Sequence, residues 1–559
     1  MNKGWVAVLA GLAMILGGSW LAAQIQTAGG IEVQDVRFPG GDGTVMSGLL
    51  YLPRTATPLA RAPGILAVHG YINSRETQDG FAIEFARRGY VVLAMDQTGH
   101  GYSGGAAFSA GFGGPAGLRY LRSLPMVDTA NIGLEGHSMG GWTVLAAAAA
   151  MPGDYRAMVL EGSSTGKPFA ADGTRTWPRN LEVVFSRYDE FSKIMWGVDR
   201  ARDVTRSAKL QAVFGTNRPI VPGRLYGTLA DGTARRLETP VTTHPGDHFS
   251  TEAIGHALDW FAVTLKPVTP RANSDQIWVW KEVGTGVALL GFAALIVGLF
   301  DLLLALPLFA PLRASPQTDG PGASPGWIVS TALLPILTLF PAFIAVTLFL
   351  KPSALLPQTI TNQVIAWALV NTALTALTAL FGPRDRRAAA RPTDLVRTVL
   401  LALLVTAAGW LSLLAADQLF KVDFRLWVVA LKLPDAAQER IMLSYFPPLL
   451  LFFWVSLSAL CRRLPGTRSP YAVAIAAMAG GFALFLALDY GTFFLTGALP
   501  TAFDPLTTVV AIQFLPLMSF VAVLAVLGWK RTGSAAPGAL LSALLVTWYV
   551  VAGTATHVV

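Results

Sequence analysis

The 559-residue sequence predicts an α/β domain, a mainly parallel sheet with flanking helices, fused to an all-α polytopic membrane domain. Three observations predict it. Hydrophobic residues make up 53% and charged residues only 14%, with a mean hydropathy of +0.50, too apolar for a soluble chain of this size. The apolar load is uneven: residues 4–23 and nearly everything from Val283 onward are apolar runs, while residues 30–265 carry the charges and Gly turns of a globular protein. Within that middle segment, short buried strands alternate with helix-like stretches, the pattern of a parallel sheet. Disorder, coiled coil and collagen are excluded, because neither the charge nor the period is present. The single cysteine, Cys461, excludes an internal disulfide framework and a Cys-based zinc site.

Residues 4–23 form one uncharged run behind Lys3. The run exceeds the ~7–15 apolar residues usual in a signal peptide, so residues 1–29 are expected to be an N-terminal transmembrane anchor. The small-residue stretch Leu21–Gln24 keeps a cleaved signal peptide open as the alternative. Residues 30–268 are the expected α/β domain, with strands over Val45–Pro53, Gly64–Val68, Tyr90–Met95 and Ile132–Glu135 and helices over Phe81–Arg88 and Gly114–Ser123. A linker, 269–282, leads to a membrane domain, 283–559, of about eight transmembrane helices. Their expected positions are 283–310, 326–350, 361–382, 397–418, 441–461, 470–496, 505–529 and 536–555. Each approaches the ~20 apolar residues that a bilayer core requires.

The net charge of +8 points to a membrane rather than to nucleic acid, because the positive residues lie mostly between apolar runs. With the N-terminus cytoplasmic, the cytoplasmic flanks hold twelve cations: Lys3, Arg313, Arg384, Arg386, Arg387, Arg391, Arg397, Arg462, Arg463, Arg468, Lys530 and Arg531. The outer flanks hold six, Lys281, Lys351, Lys421, Arg425, Lys432 and Arg440. The positive-inside bias therefore places the α/β domain on the extracytoplasmic side of a multi-pass protein of the cell membrane. Asp301, Asp417 and Asp489 are the ionisable residues in or at the ends of apolar runs, each a candidate site or a polar contact between helices. Pro335, Pro341, Pro447, Pro448 and Pro516 are expected to kink their helices, and Cys461 to be an ordinary juxtamembrane residue.

The chemical signal is Gly136-His137-Ser138-Met139-Gly140-Gly141, after a strand and before the Ala-rich run Trp142–Met151. A serine at a sharp strand-to-helix turn needs small neighbours two positions away, because a Cβ there would meet the tight backbone. Gly136 and Gly140 supply them. The helix start offers N–H groups and a dipole to a developing anion. Strand, motif and helix stand in the required order, which marks Ser138 as a nucleophile.

The stretch Asp96-Gln97-Thr98-Gly99-His100-Gly101-Tyr102-Ser103-Gly104 resembles the GHGxS signature of the monoglyceride-lipase and serine-aminopeptidase-like branch of the α/β-hydrolase superfamily, and His69-Gly70-Tyr71 resembles its HG turn after the third strand. The resemblance covers residues 30–265 and implies the α/β-hydrolase fold. It also implies that the N–H of Tyr71, with that of Met139, forms an oxyanion hole, and that an acid and then a histidine follow the serine. Leu181–Phe185 runs into Ser186-Arg187-Tyr188-Asp189-Glu190, which makes Asp189 the expected acid and Glu190 its alternative. His248, just before the amphipathic Ala253–Leu265, is the expected base, with His244 as alternative; His100, His137 and His256 are expected to be structural.

A serine hydroxyl needs a base to take its proton and an acid to orient that base, and neither a metal nor an organic cofactor. The expected function is a membrane-embedded serine hydrolase that cleaves carboxylic esters, of lipophilic acyl groups, through an acyl-enzyme at Ser138. A serine peptidase or an acyltransferase with the same triad is the alternative. A transporter or sensor whose hydrolase-like domain is non-catalytic is the reading from another class. Residues 167–180 are too few for a lipase-type cap, whereas Asp189 and His248 lie further apart than one strand–helix connection requires. That excess includes an apparent hairpin, Arg224–Leu229 with Thr233–Val241, and the apolar Ile194, Met195 and Trp196, which are expected to face the bilayer or an acyl groove.

Overall fold

In the computed structural model, which describes residues 3–266, 269–316, 318–381 and 394–559, the chain opens with helix α1 (Lys3–Gln26) and enters the sheet at β1 (Ile31–Pro39) and β2 (Val45–Pro53). Then follow β3 (Ala62–Val68), α2 (Asp79–Arg87), β4 (Val91–Met95), α3 (Gly114–Ser123), β5 (Val127–His137), α4 (Met139–Ala150) and β6 (Ala157–Glu161). The domain closes with β7 (Leu181–Val184), α5 (Ser192–Trp196), α6 (Ala208–Phe214), β8 (Arg235–Glu238) and α7 (Thr251–Thr264). The strands lie in the order β1-β2-β4-β3-β5-β6-β7-β8. β2 runs antiparallel to both its neighbours, and all pairs from β4 to β8 are parallel.

A parallel sheet is covered on both faces, so its strands read as continuous apolar runs. β3 shows why. Leu66 and Val68 point into one core with Leu118, Leu121 and Val144 of α3 and α4. Ile65 and Ala67 point into the other with Phe81 and Phe85 of α2 and Trp260 and Phe261 of α7. β1 is an edge strand that hydropathy did not reveal, because its alternation of polar residues leaves only Ile31 and Phe38 buried. The expected hairpin is reduced to one bridge, Tyr226 with Arg235. Residues 235–238 instead join the sheet beside β7, where Leu237 is fully buried. Met195 and Trp196 are both buried in the α/β core, Met195 beside the cavity that Ser138 lines, and only Ile194 of that trio is exposed.

The remaining helices are α8 (Trp278–Ala305), α9 (Pro325–Phe349), α10 (Thr359–Phe381), α11 (Leu395–Phe420), α12 (Ala436–Cys461), α13 (Pro470–Thr496), α14 (Pro505–Thr532) and α15 (Ala536–Gly553). A two-stranded hairpin, β9 (Phe424–Leu426) and β10 (Val429–Leu431), joins α11 to α12. Among the described residues, nine helices, α1 and α8–α15, are long and apolar enough to cross a membrane. α12 starts five residues before its expected position because Asp435 and Gln438 form a capping box. α8 likewise starts early, at Trp278, so its first turns carry Lys281 and Glu282. Arg384, Arg386, Arg387 and Arg391 lie outside the described residues.

α1 packs along α8 through glycines seven residues apart on each, Gly4, Gly11 and Gly18 against Gly284, Gly291 and Gly298. A Cβ on Gly11 would lie 2.8 Å from the carbonyl oxygen of Gly291, and one on Gly291 2.8 Å from that of Gly11. Small residues at this spacing let two backbones touch, which gains close packing along the whole seam. Asp301 is paired with Arg531 at 2.6 Å, and Asp489 accepts from Thr501 at 2.9 Å, so both serve contacts between chain segments. Cys461 is buried among the helices. The carbonyl oxygen of Pro335 inside α9 accepts the Trp367 indole at 2.8 Å.

The α/β domain rests on one end of this helical half. Lys281 at the start of α8 pairs with buried Asp79, and Arg425 of β9, 2% exposed, donates to Asp423, Thr77 and Ser74. Beyond α15, the N–H of Ala107 donates to the carbonyl of Thr556, and Tyr71 meets His557 at 2.8 Å. The opposite end holds the Asp301–Arg531 pair and the Gly322–Pro465 hydrogen bond.

Candidate active site

Ser138 stands between β5 and α4 with φ 55° and ψ −119°, a region that costs a non-glycine residue about 1–3 kcal/mol. Its surroundings leave no other course. A Cβ on Gly136 would lie 2.3 Å from the carbonyl oxygen of Gly140, and one on Gly140 2.0 Å from that of Val68. The turn is held from β6: the Ser138 N–H donates to the carbonyl of Glu161 at 2.8 Å, and the Ser163 hydroxyl to the carbonyl of Ser138 at 2.6 Å.

The HG turn passes directly over this serine. A Cβ on Gly70 would sit 3.1 Å from Ser138 Cβ, so glycine lets the 70–71 backbone lie there without displacing the serine. His69 Nδ1 donates to the carbonyl of Gly70 at 2.7 Å and its Nε2 accepts the N–H of Gln97 at 3.2 Å. The Gln97 side chain donates to the carbonyl of His69 and accepts from Thr143 of α4, tying the two turns together. The GHGxS stretch has the same positioning role. Asp96 accepts from Ser47 and from the N–H groups of Arg75 and Tyr102, and Ser103 donates back to the carbonyl of Asp96. Met139 opens α4 and Tyr71 follows Gly70, so both backbones border the serine.

Asp189 is where its strand end placed it, but its partner is His244 and not His248. His244 Nδ1 lies 2.8 Å from Asp189 Oδ2, while the other carboxylate oxygen accepts the N–H of Phe191 at 2.7 Å. The cause is a strand pairing. Tyr188 bridges Thr243 in parallel and its N–H donates to the carbonyl of Thr242, so the residues that follow, Asp189 and His244, are delivered side by side. His248 sits four residues later, in a 3₁₀ turn against Phe81 and His137, and neither of its ring nitrogens has a hydrogen-bond partner. Glu190 supports the pair instead of replacing the acid: it accepts the N–H of His244 at 2.7 Å and the Tyr490 hydroxyl of α13 at 2.8 Å.

Burial pushes the His244 imidazole down to about 4, which keeps it neutral and able to accept a proton at pH 7. His137, His244 and Asp247 offer ligand atoms within 4.8 Å of one another. A cation held there through Nδ1 of His244 would compete with Asp189 for that nitrogen. The Nε2 of His137 is already bonded to the carbonyl of His244 at 2.9 Å.

Ser138, His244 and Glu190 line one cavity of about 490 Å³, together with Trp142, Phe169 and Phe191. Its other wall is not from the α/β domain: Val428, Phe503, Leu506, Val509 and Gln513 belong to the helical half. Sequence reasoning did not find Tyr490 or this wall, since nothing local marks them.

A family described as serine aminopeptidase, S33, matches residues 61–189. The chain is similar to a monoacylglycerol lipase of Mycolicibacterium smegmatis, 34% identical over 108 residues, which are 18% of this chain and 36% of that protein. It thus spans about a third of the length of this curated relative. An esterase structure from Pyrococcus furiosus aligns at 18% identity and TM-score 0.31 over 42% of this chain and 94% of that one. A Pyrobaculum calidifontis esterase aligns at 16% identity and TM-score 0.31 over 47% and 94%.

Proposed function

We propose that this member of the α/β-hydrolase superfamily is a membrane-embedded serine hydrolase that cleaves carboxylic esters through an acyl-enzyme on Ser138. The observation that carries the reading is the 2.8 Å contact of Asp189 with His244, in a cavity that Ser138 also lines. Ser138 Oγ attacks the ester carbonyl carbon while Nε2 of His244 takes the hydroxyl proton. The N–H groups of Met139 and Tyr71 stabilise the oxyanion, a contribution of about 3–4 kcal/mol per donor in comparable sites. The intermediate collapses by breaking the bond to the alcohol oxygen, which leaves with the proton from His244. Water then gives a proton to His244, attacks the acyl-enzyme, and releases the carboxylic acid with Ser138 restored. Asp189 holds the tautomer with Nδ1 protonated.

The test is a fluorophosphonate probe. Wild type is expected to be labelled, with labelling lost in Ser138→Ala and in His244→Ala. Equal labelling of Ser138→Ala would overturn the assignment. The peptidase reading takes its support from the description of the matched family. An aminopeptidase must hold an ammonium, and the carboxylates that line the cavity are engaged: Glu190 by Tyr490 and His244, Asp504 by Thr507. Esters are therefore favoured, and p-nitrophenyl acyl esters against aminoacyl amides separate the two. The bilayer is the expected partner, with the α/β domain on its extracytoplasmic side. Protease added to sealed cells is expected to remove residues 30–265.

A further inference from the structure

The α/β domain has no cap of its own. The connection from β6 to β7 is short, and the segment between Asp189 and β8 lends Phe191, Ile194 and Met195 to one side of the site before it folds into the domain core through Trp196 and Leu210. An open cleft at Ser138 would be the result, yet the serine faces a partly covered cavity of about 490 Å³, within the usual range for small-molecule sites. The helical half closes it. The connection before α14 brings Phe503, the first turns of α14 bring Leu506 and Val509, and the hairpin between α11 and α12 brings Val428. This cover is fixed: Tyr188 packs edge-on against Phe493 and Phe494 of α13 at 5.9 and 5.1 Å.

The wall is chemically suited to one kind of ligand. Its charged side chains already have partners within the protein. Lys193 pairs with Asp199, Asp504 caps α14 through Thr507, and Glu190 is held by Tyr490 and His244. What remains is mainly aliphatic and aromatic. Large apolar side chains also stand exposed in the lining, Phe503 at 67%, Ile194 at 47% and Phe169 at 44%, as at a mouth that meets an apolar phase. A second, small void of about 40 Å³ shares Ile72, Asn73, Val428 and Gln513 with the cavity and is lined beyond them by Ile360, Phe514 and Leu517 and by the cations Arg425 and Lys432.

We infer that the helical half supplies the acyl-binding wall of the site, and that the substrate is a long-chain acyl ester whose alkyl tail lies against Val509 and Leu506. The inference rests on the serine-hydrolase reading above.

A series of p-nitrophenyl esters from acetate to decanoate tests it on the full chain in detergent. kcat/KM of wild type is expected to rise about three- to fourfold per methylene over the first few carbons, since each buried methylene contributes that much to binding. Val509→Trp, which fills the tail space, is expected to lower the octanoate-to-acetate ratio about tenfold or more. Phe503→Ser, at a mostly exposed position, is expected to raise KM for octanoate more than for acetate. A flat wild-type series, or an unchanged ratio in both variants, overturns the acyl wall. Parallel labelling with a short-chain ethyl fluorophosphonate separates the two readings. Labelled wild type with a flat series leaves the serine hydrolase standing and removes the acyl wall, whereas unlabelled wild type removes both.

Discussion

Trp427, in the turn between β9 and β10, donates its indole N–H to the carbonyl of Pro245 at 2.7 Å. Pro245 directly follows His244, so a residue of the helical half holds the loop that carries the histidine of the pair. The turn at Trp427 is itself anchored, because its backbone N–H donates to Glu282 of α8. Trp427→Phe keeps the ring and removes the donor. It is expected to lower kcat about tenfold with little change in thermal midpoint, as a small displacement of a reacting group suffices for such a loss. Steady-state ester hydrolysis checks this, and an unchanged kcat would show that the loop holds its position without the tryptophan.

A second link runs through α13. Tyr490 donates to one oxygen of Glu190 while the other accepts the His244 N–H. Tyr490→Phe leaves a buried carboxyl oxygen without its donor, a cost of about 1–3 kcal/mol. The expected outcome is a lower thermal midpoint together with slower fluorophosphonate labelling. Glu190→Gln, which keeps an acceptor for His244, is expected to restore most of the labelling rate.

Burial holds His244 at about 4 and His100 at about 3, and it lowers His69, His137 and His248 as well. Because His244, the base proposed, is neutral far into acid, kcat/KM is expected to stay flat from pH 8 to below pH 6. An acid limb near 6.5 would show His244 to be solvated. Stability has the same sign. The unfolded histidines take up protons below about 6.5 that the folded ones refuse, so their contribution is complete above that pH and is lost as pH falls toward 4.

Glu135 acts in the opposite sense. Burial raises it to about 8, against the hydrogen bonds from Gln78. Its contribution is complete below about 4.5 and is lost as pH rises through 8, by about 1.4 kcal/mol per pH unit. Glu135→Gln is expected to flatten the decline of the thermal midpoint between pH 6 and 8.5. Parallel declines in the two proteins would mean that the carboxylate is accommodated without cost.

The α1–α8 seam can be tested with its own control. Gly291→Leu forces a side chain into the backbone of Gly11 and Ile15, whereas Gly17→Leu on the outer face of α1 meets nothing within 4 Å. The first is expected to destabilise by about 1–3 kcal/mol, read as a lower midpoint in detergent, and the second to be neutral.

Ser138 was legible in the sequence because its constraints are local. A strand, two glycines that no Cβ can replace and a helix start all lie within a few residues. The long helices were legible for the same kind of reason, since hydropathy over some twenty residues is a property of each segment alone. Their ends shifted where a cap or a contact with the other half decided them, as at Asp435 and Lys281.

The histidine was a different matter. His244 and His248 stand in one short loop before α7, and no local pattern separates them. The choice is made by a bridge between Tyr188 and Thr243, residues far apart in sequence whose pairing exists only once β7 and β8 lie side by side. Tertiary structure likewise decided what covers the serine. Tyr490 and Val509 read as ordinary residues of apolar segments and Trp427 as a tryptophan of the loop between two of them, and they reach the site only because both halves of the chain fold against each other. Local backbone geometry is written in neighbouring residues. A contact between distant segments depends on burial and hydrogen bonding that neither segment can satisfy alone.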